Sequence, residues 1–214
     1  MPTIDEITIA DEPTAWADLG FRVEGDVCQL GAVRLRLAGG AAGEGITGWS
    51  LREIDNEDLD GLPTSRSTRA PGTPAPAHPN GVLEIDHIVA ISPDFPRSVT
   101  KLQAAGLDLR RIREEPTAAG GPRQAFFRLG SEILEMIQEP PEVAQAKGGP
   151  DRPVRFWGLA LLAGDLDQTV EWMAPHAPPP RAAVQAGRRI STVKRSAGLA
   201  VPIALMSQRE EKAG

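Results

Sequence analysis

The sequence predicts an α+β protein built from repeated β-α-β-β-β modules. The first observation is the stretch 83–138, which reads LEIDHIVAISPDFPRSVTKLQAAGLDLRRIREEPTAAGGPRQAFFRLGSEILEMIQ; one apolar strand, one amphipathic helix and three extended runs follow each other there. The second is that its opening half returns later at a constant offset of 71, with Asp165 on Asp94, Val170 on Val99 and Met173 on Leu102. The third is that residues 3–54 repeat the same order of elements more loosely. Three such units are too few and too long for a solenoid and read as modules that pack on one another. Hydrophobic residues make up 41% of the chain, enough for a core; with aromatics at 4% and no Tyr, that core must be aliphatic.

Residues 1–55 form the divergent first module. TIDEITIA (3–10) alternates and is β-branched, which is a strand pattern. Asp11 is placed to cap a short helix with Pro13 in its first turn and Gly20 at its end. Runs 21–29, 32–38 and 46–54 read as the further strands, with turns at Gly25-Asp26, Gly31 and the Gly39–Gly45 cluster. Residues 56–82 are acidic and then Pro-rich. That composition predicts an extended linker laid over the surface, with His78 and Asn80 as solvated loop residues near its end.

The central module spans 83–138. Alternation in strand 83–91 puts Ile85, His87, Val89 and Ile91 on one face and Asp86, Ile88 and Ala90 on the other. Near Asp94 the period changes: Phe95, Val99, Leu102 and Ala105 make one helical stripe, and Gly106 stops it. Strand 107–113, a Gly-Gly-Pro turn, strand 123–129 and, after the tight Gly130-Ser131 connection, strand 132–138 complete the unit. Residues 139–153 read as a second linker. The C-terminal module covers 154–208, with strands near 182–186, 189–195 and 201–207, and 209–214 is a polar tail.

Composition narrows the function classes. A net charge of -6 argues against a nucleic-acid footprint, and Arg110, Arg111 and Arg113, like Arg188 and Arg189, sit among acids as solvated strand edges. Cys28 is the single cysteine, which excludes an intrachain disulfide and suits a small buried hydrophobe. The absence of a leader-like segment and of a long apolar run predicts a cytoplasmic protein without a membrane partner. No Gly-rich phosphate loop and no nucleophile elbow are present, and Ser191 and Ser196 show no His partner in the sequence. Trp49, Trp157 and Trp172 read as core or pocket wall, and His176, in APHAPPP, as a loop residue without chemistry.

The segments IDHIVAISPDFPRSV, QAFFRLGSEILEMI, FWGLALLAGDLDQTV and GRRISTV, in that order, resemble the vicinal oxygen chelate superfamily, the glyoxalase and bleomycin-resistance proteins. The resemblance covers 83–207 and, through element order alone, 3–54. It implies curled mixed sheets around a cup, formed by paired modules, with helices on the outer face. Pairing of 83–138 with 154–207 leaves the first module to cover the outside, to pair across a homodimer, or to displace the third module.

In strand 132–138, Ile133, Glu135 and Ile137 share a face, so Glu135 is either solvated or held by a partner. The resemblance places family metal ligands on the first and last strands of a module, here His87 and Glu135, with Glu135 also the candidate catalytic residue. An imidazole and a carboxylate on adjacent strands suit a divalent metal such as Zn²⁺, Ni²⁺, Mn²⁺ or Fe²⁺. Glu6, in IDEITIA against IDHIVA, matches His87 and would join the set if modules one and two pair. The third module departs from the pattern, with Gly158 in place of a His and Ala204 near the acid position. Gln124 reads as a core-edge amide first and a ligand second. Two functions follow from the resemblance. One is a metal-dependent lyase, isomerase or oxygenase acting on a small molecule with vicinal oxygens. The other is a metal-free small-molecule binding protein of the bleomycin-resistance type. A scaffold or dimerisation unit without a cavity is the blander alternative.

Overall fold

A computed structural model describes residues 1–115 and 123–209. Strands β1 (Thr3–Ile9), β2 (Val23–Glu24), β3 (Val27–Leu30), β4 (Val33–Leu37), β5 (Ile46–Arg52) and β6 (Thr64–Arg66) form a six-stranded sheet in the order β2-β3-β4-β1-β5-β6. Strands β7 (Val82–Ser92), β8 (Asp108–Arg113), β9 (Gln124–Leu129), β10 (Glu132–Gln138), β11 (Arg155–Ala163), β12 (Arg181–Ala182), β13 (Arg189–Thr192) and β14 (Ile203–Met206) form an eight-stranded sheet in the order β12-β13-β14-β11-β7-β10-β9-β8. Both sheets are mixed: β7 runs parallel to β10 and antiparallel to β11. The helices are short: α1 (Pro13–Asp18), α2 (Phe95–Ala104), α3 (Pro141–Ala146) and α4 (Leu166–Trp172). None among the described residues is long and apolar enough to cross a membrane.

Local sequence explains the central elements. Asp94 caps α2 by accepting from Arg97 N at 3.1 Å, and Asp165, its counterpart at the repeat offset, caps α4 by accepting from Asp167 N and Gln168 N. Phe95, Val99 and Leu102 of α2 are buried in one cluster with Ile88 and Ala90 of β7 and Leu134 and Met136 of β10. That cluster is mostly aliphatic, with Trp16, Phe21, Trp49, Phe95 and Phe127 among its members, and runs on into the six-stranded sheet through Ile7, Leu35 and Leu51. Trp49 and Phe156 bridge the sheets edge to face, with ring centroids 5.1 Å apart. Cys28 lies fully buried in the six-stranded half, where burial pushes its thiol up to about 12. The Gly-Gly-Pro turn expected before residue 123 and the end of the polar tail lie outside the described residues.

Several expectations are corrected. The run 21–29 is a hairpin, because Gly25, at φ 63°, turns the chain between β2 and β3. Asp11 does not cap α1. Its buried carboxylate accepts instead from Trp16 Nε1 at 3.0 Å and from Ala200 N at 2.5 Å. The linker expected over 56–82 does not lie wholly on the surface. Leu59 and Leu62 are buried, and Asp60 accepts from Arg97 Nε at 2.8 Å and from Ser98 Oγ at 2.5 Å. His78 and Asn80 are buried too. His78 Nδ1 accepts from Arg22 N at 2.9 Å, and Asn80 donates to Leu19 O at 2.9 Å. The 139–153 stretch contains α3, which starts at Pro141 and is followed by Lys147 and Arg152 paired to the buried Glu139.

The two sheets repeat one design. Read from one edge, β2-β3-β4-β1-β5-β6 matches β8-β9-β10-β7-β11-β14 in order and direction. Strand β5 therefore stands where the third module's opening strand stands, and β6 where its last strand stands. Details agree. Each opening strand carries an extra residue against its antiparallel neighbour, Asp5 in β1 and Asp86 in β7. In each, a Gly faces the carbonyl of a Pro that also accepts the next backbone N–H: Pro63 O from Trp49 N and Pro202 O from Leu159 N, both at 3.0 Å. The six-stranded sheet is thus a cup whose second half is cut down to two strands.

Candidate functional site

The eight-stranded sheet curls around a pocket of about 830 Å³. Residues in phase along the strands face it: His87 and Val89 of β7, Glu135 and Ile137 of β10, and Gln124 and Phe126 of β9. The positions read from the third module, Gly158 and Ala204, line the same pocket. Modules two and three therefore share the cup. The residues one step out of phase face the core, as a period of two requires.

The floor holds a chain of polar contacts. His87 Nε2 lies 3.3 Å from Glu135 Oε2, and His87 Nδ1 lies 2.7 Å from Asp86 Oδ2. Arg188 donates to Asp86 Oδ1 at 2.6 Å, and Gln124 Nε2 donates to Glu135 Oε1. Asp86 and His87 are sequence neighbours, and simple alternation would put them on opposite faces. The bulge resolves this: Ala160 pairs with His87 and Leu161 with Ile85, so Asp86 is the extra residue and Ile85 turns to the core. Burial alone would raise the Asp86 carboxyl. Hydrogen bonds and charge from His87 and Arg188 outweigh that and bring it from 3.8 down to about 2. Asp86 is thus a carboxylate that orients the imidazole. Gln124 is 8% exposed and its Oε1 has no hydrogen-bond partner among the described residues. A buried orphan acceptor beside a pocket fits a ligand that brings a donor.

Of the three residues singled out as ligands, two meet. His87 and Glu135 converge, whereas Glu6 lies on the six-stranded sheet. There it accepts from Arg36 Nε at 2.9 Å and Arg34 Nε at 3.2 Å. Register explains the exchange: Glu6 pairs with Arg34 as His87 pairs with Ile133, so Arg36 holds the place of Glu135. An arginine–carboxylate ion pair replaces the imidazole–carboxylate pair in the shortened cup. Alternation and spacing did not reveal Asp86 or Arg188, and only the bulge brings them in. His176, assigned no chemistry, has Nδ1 3.2 Å from Ser196 Oγ in an exposed loop contact.

The side chains at the floor offer few donors to a metal ion. Catalytic divalent sites commonly take three protein donors and keep one position open. Among the described residues no three His, Cys, Asp or Glu side chains converge where they could hold a metal ion. His87 and Glu135 offer two donors, and Ala204 offers a methyl group. A Cβ at Gly158 would sit 2.5 Å from Pro202 O, a backbone atom, so no larger side chain enters there without moving β14. Among the described residues, the side chains present do not fit a metal centre with three protein donors.

The whole chain superposes on a ring-cleaving extradiol dioxygenase from B. fuscum with a TM-score of 0.60 at 12% identity, covering 100% of this chain and 73% of that one. The fold is that of the vicinal oxygen chelate superfamily. A xylose isomerase-like TIM barrel/4-hydroxyphenylpyruvate dioxygenase fusion protein gives the same TM-score, 0.60, at 12% identity over 99% of this chain; the chain spans about half, 49%, of its length. Methylmalonyl-CoA epimerase from Mycobacterium tuberculosis aligns over 62% of this chain and 91% of its own, with 18% identity and a TM-score of 0.47. No family model matches the sequence, and no curated protein matches it. The vicinal oxygen chelate fold accounts for the curled mixed sheets and for the cup on the strand face away from the helices.

Proposed function

We propose that this chain binds a small organic molecule in the eight-stranded cup without a metal ion, as a cytoplasmic protein of the bleomycin-resistance type. The observation that carries this is Gly158 under Pro202 O, which closes the position a third donor would need. The pocket has the size and lining of a small-molecule site: apolar walls from Val89, Phe126, Ile137 and Met206, with a few polar groups at the floor. His87, held by Asp86, and Glu135, held by Gln124, anchor the ligand's polar end. The activities named for the dioxygenase neighbours belong to those proteins.

One observation favours the other reading, a divalent-metal lyase, isomerase or oxygenase with Glu135 as its catalytic residue: His87 Nε2 and Glu135 Oε2 do converge. Plasma mass spectrometry on protein purified without chelators, followed by calorimetric titration with Zn²⁺, Ni²⁺, Mn²⁺ and Fe²⁺, separates the two. We expect substoichiometric metal and no binding tighter than about a millimolar Kd, the range of weak two-donor contacts. Near-stoichiometric metal that disappears in both His87→Ala and Glu135→Ala would establish the metal enzyme instead.

A further inference from the structure

The geometry points to the class of ligand: we propose that the cup takes a flat organic anion whose acidic group pairs with Arg111 while its ring lies on Phe126. This rests on the metal-free pocket proposed above and goes on to say what enters it.

The register defines a single row of residues across five strands. Gly158 pairs with Val89, Val89 with Glu135, Glu135 with Phe126 and Phe126 with Arg111. All five line the pocket. Glu135 and Arg111 are two strands apart, which is about 10 Å at the usual spacing of neighbouring strands. The row thus runs from an acceptor at the floor, over an aromatic face, to a cation at the mouth. A one- or two-ring molecule with a donor at one end and an acid at the other matches that length and polarity.

Arg111 is set apart from its neighbours by what it lacks. Arg110 pairs with Asp108 at 3.1 Å, Arg113 with Glu115 at 2.7 Å and Arg123 with Glu114 at 2.8 Å. These pairs also cancel the two acids at the pocket mouth. Arg111 has no carboxylate partner among the described residues. Its guanidinium instead sits over the Phe126 ring, 4.9 Å from the centroid. Stacking fixes the plane of the fork and leaves its N–H edge available for a planar or tetrahedral acid. Arg181, on β12 at the far side of the mouth, is likewise exposed and without an acid partner among the described residues. In a chain of net charge -6, cations at a pocket mouth that have no acid partner among the described residues attract an anion against the overall field, so the preference belongs to the site.

The probe is anilinonaphthalene sulfonate, a two-ring dye with one acidic group, compared with its uncharged relative N-phenyl-naphthylamine. Both are titrated by fluorescence against wild type, Arg111→Gln, Arg181→Gln and Ala204→Phe, each shown to be folded by circular dichroism. We expect the sulfonate to bind more tightly than the neutral dye, to weaken about tenfold in Arg111→Gln and to weaken with added salt. The neutral dye should be indifferent to Arg111→Gln, and Ala204→Phe should weaken both dyes by filling the floor. Equal binding of the sulfonate to wild type and Arg111→Gln overturns the inference and leaves the pocket reading standing. Failure of both dyes to bind wild type, or binding that Ala204→Phe leaves unchanged, defeats the pocket reading and this inference with it.

Discussion

Asp86 shows what a single residue contributes here. Its carboxyl lies at about 2 in the folded chain against 3.8 in the unfolded one. A carboxylate with a depressed folded value stabilises the fold above its unfolded value and loses that contribution as pH falls through the folded one. The shift corresponds to about 2 kcal/mol at neutral pH. Asp86→Asn should therefore lower the unfolding free energy by about 2 kcal/mol at pH 7. Its deficit against wild type should close between about pH 4 and about pH 2, as read from denaturant melts across that window. A deficit that stays constant with pH would assign the effect to packing instead. The neighbouring His87 was legible in the sequence, since it falls in phase on an apolar strand and within a family-like motif. Asp86 was not, because one bulge reverses the face on which a residue lies and leaves no mark in composition.

At the scale of elements, the two Gly-under-Pro crossings have unequal tolerance. A Cβ at Gly158 would meet Pro202 O at 2.5 Å, whereas one at Gly48 would meet Pro63 O at 3.2 Å. The first requires β14 to shift and the second needs a few tenths of an ångström. Gly158→Ala should cost about 1–3 kcal/mol and Gly48→Ala well under that, measured as denaturant midpoints at constant slope. Equal losses would show that the strands give way alike. Helix α2 was readable from its stripe and its Asp94 cap. Strand β6 was not: three residues in a polar, Pro-rich stretch carry no periodicity, and the strand exists because β5 offers it an edge. The buried turn at Leu59–Leu62 escaped for a related reason. Its acidic composition signals solvent, yet Asp60 is wanted inside by Arg97 and Ser98.

For the whole molecule, the sequence showed three modules, and the structure shows two cups, one complete and one shortened. The fourth unit is invisible to pattern reading because it kept only β5 and β6 and has no helix between them. The pairing of modules two and three, left open by their sequences, follows from β7 lying antiparallel to β11 along nearly its full length. The halves also differ in how they can be watched. Cys28, the chain's single thiol, is sealed in the shortened half and, with its pKa near 12, is almost wholly protonated at neutral pH. A thiol-reactive reagent should therefore leave the native protein untouched. Under mild denaturant it should label at the rate at which the six-stranded sheet opens, and prompt labelling of native protein would contradict that burial. The lone cysteine thereby serves as a timer installed in one half of the molecule, one that counts the openings of the shortened cup and disregards breathing confined to the other.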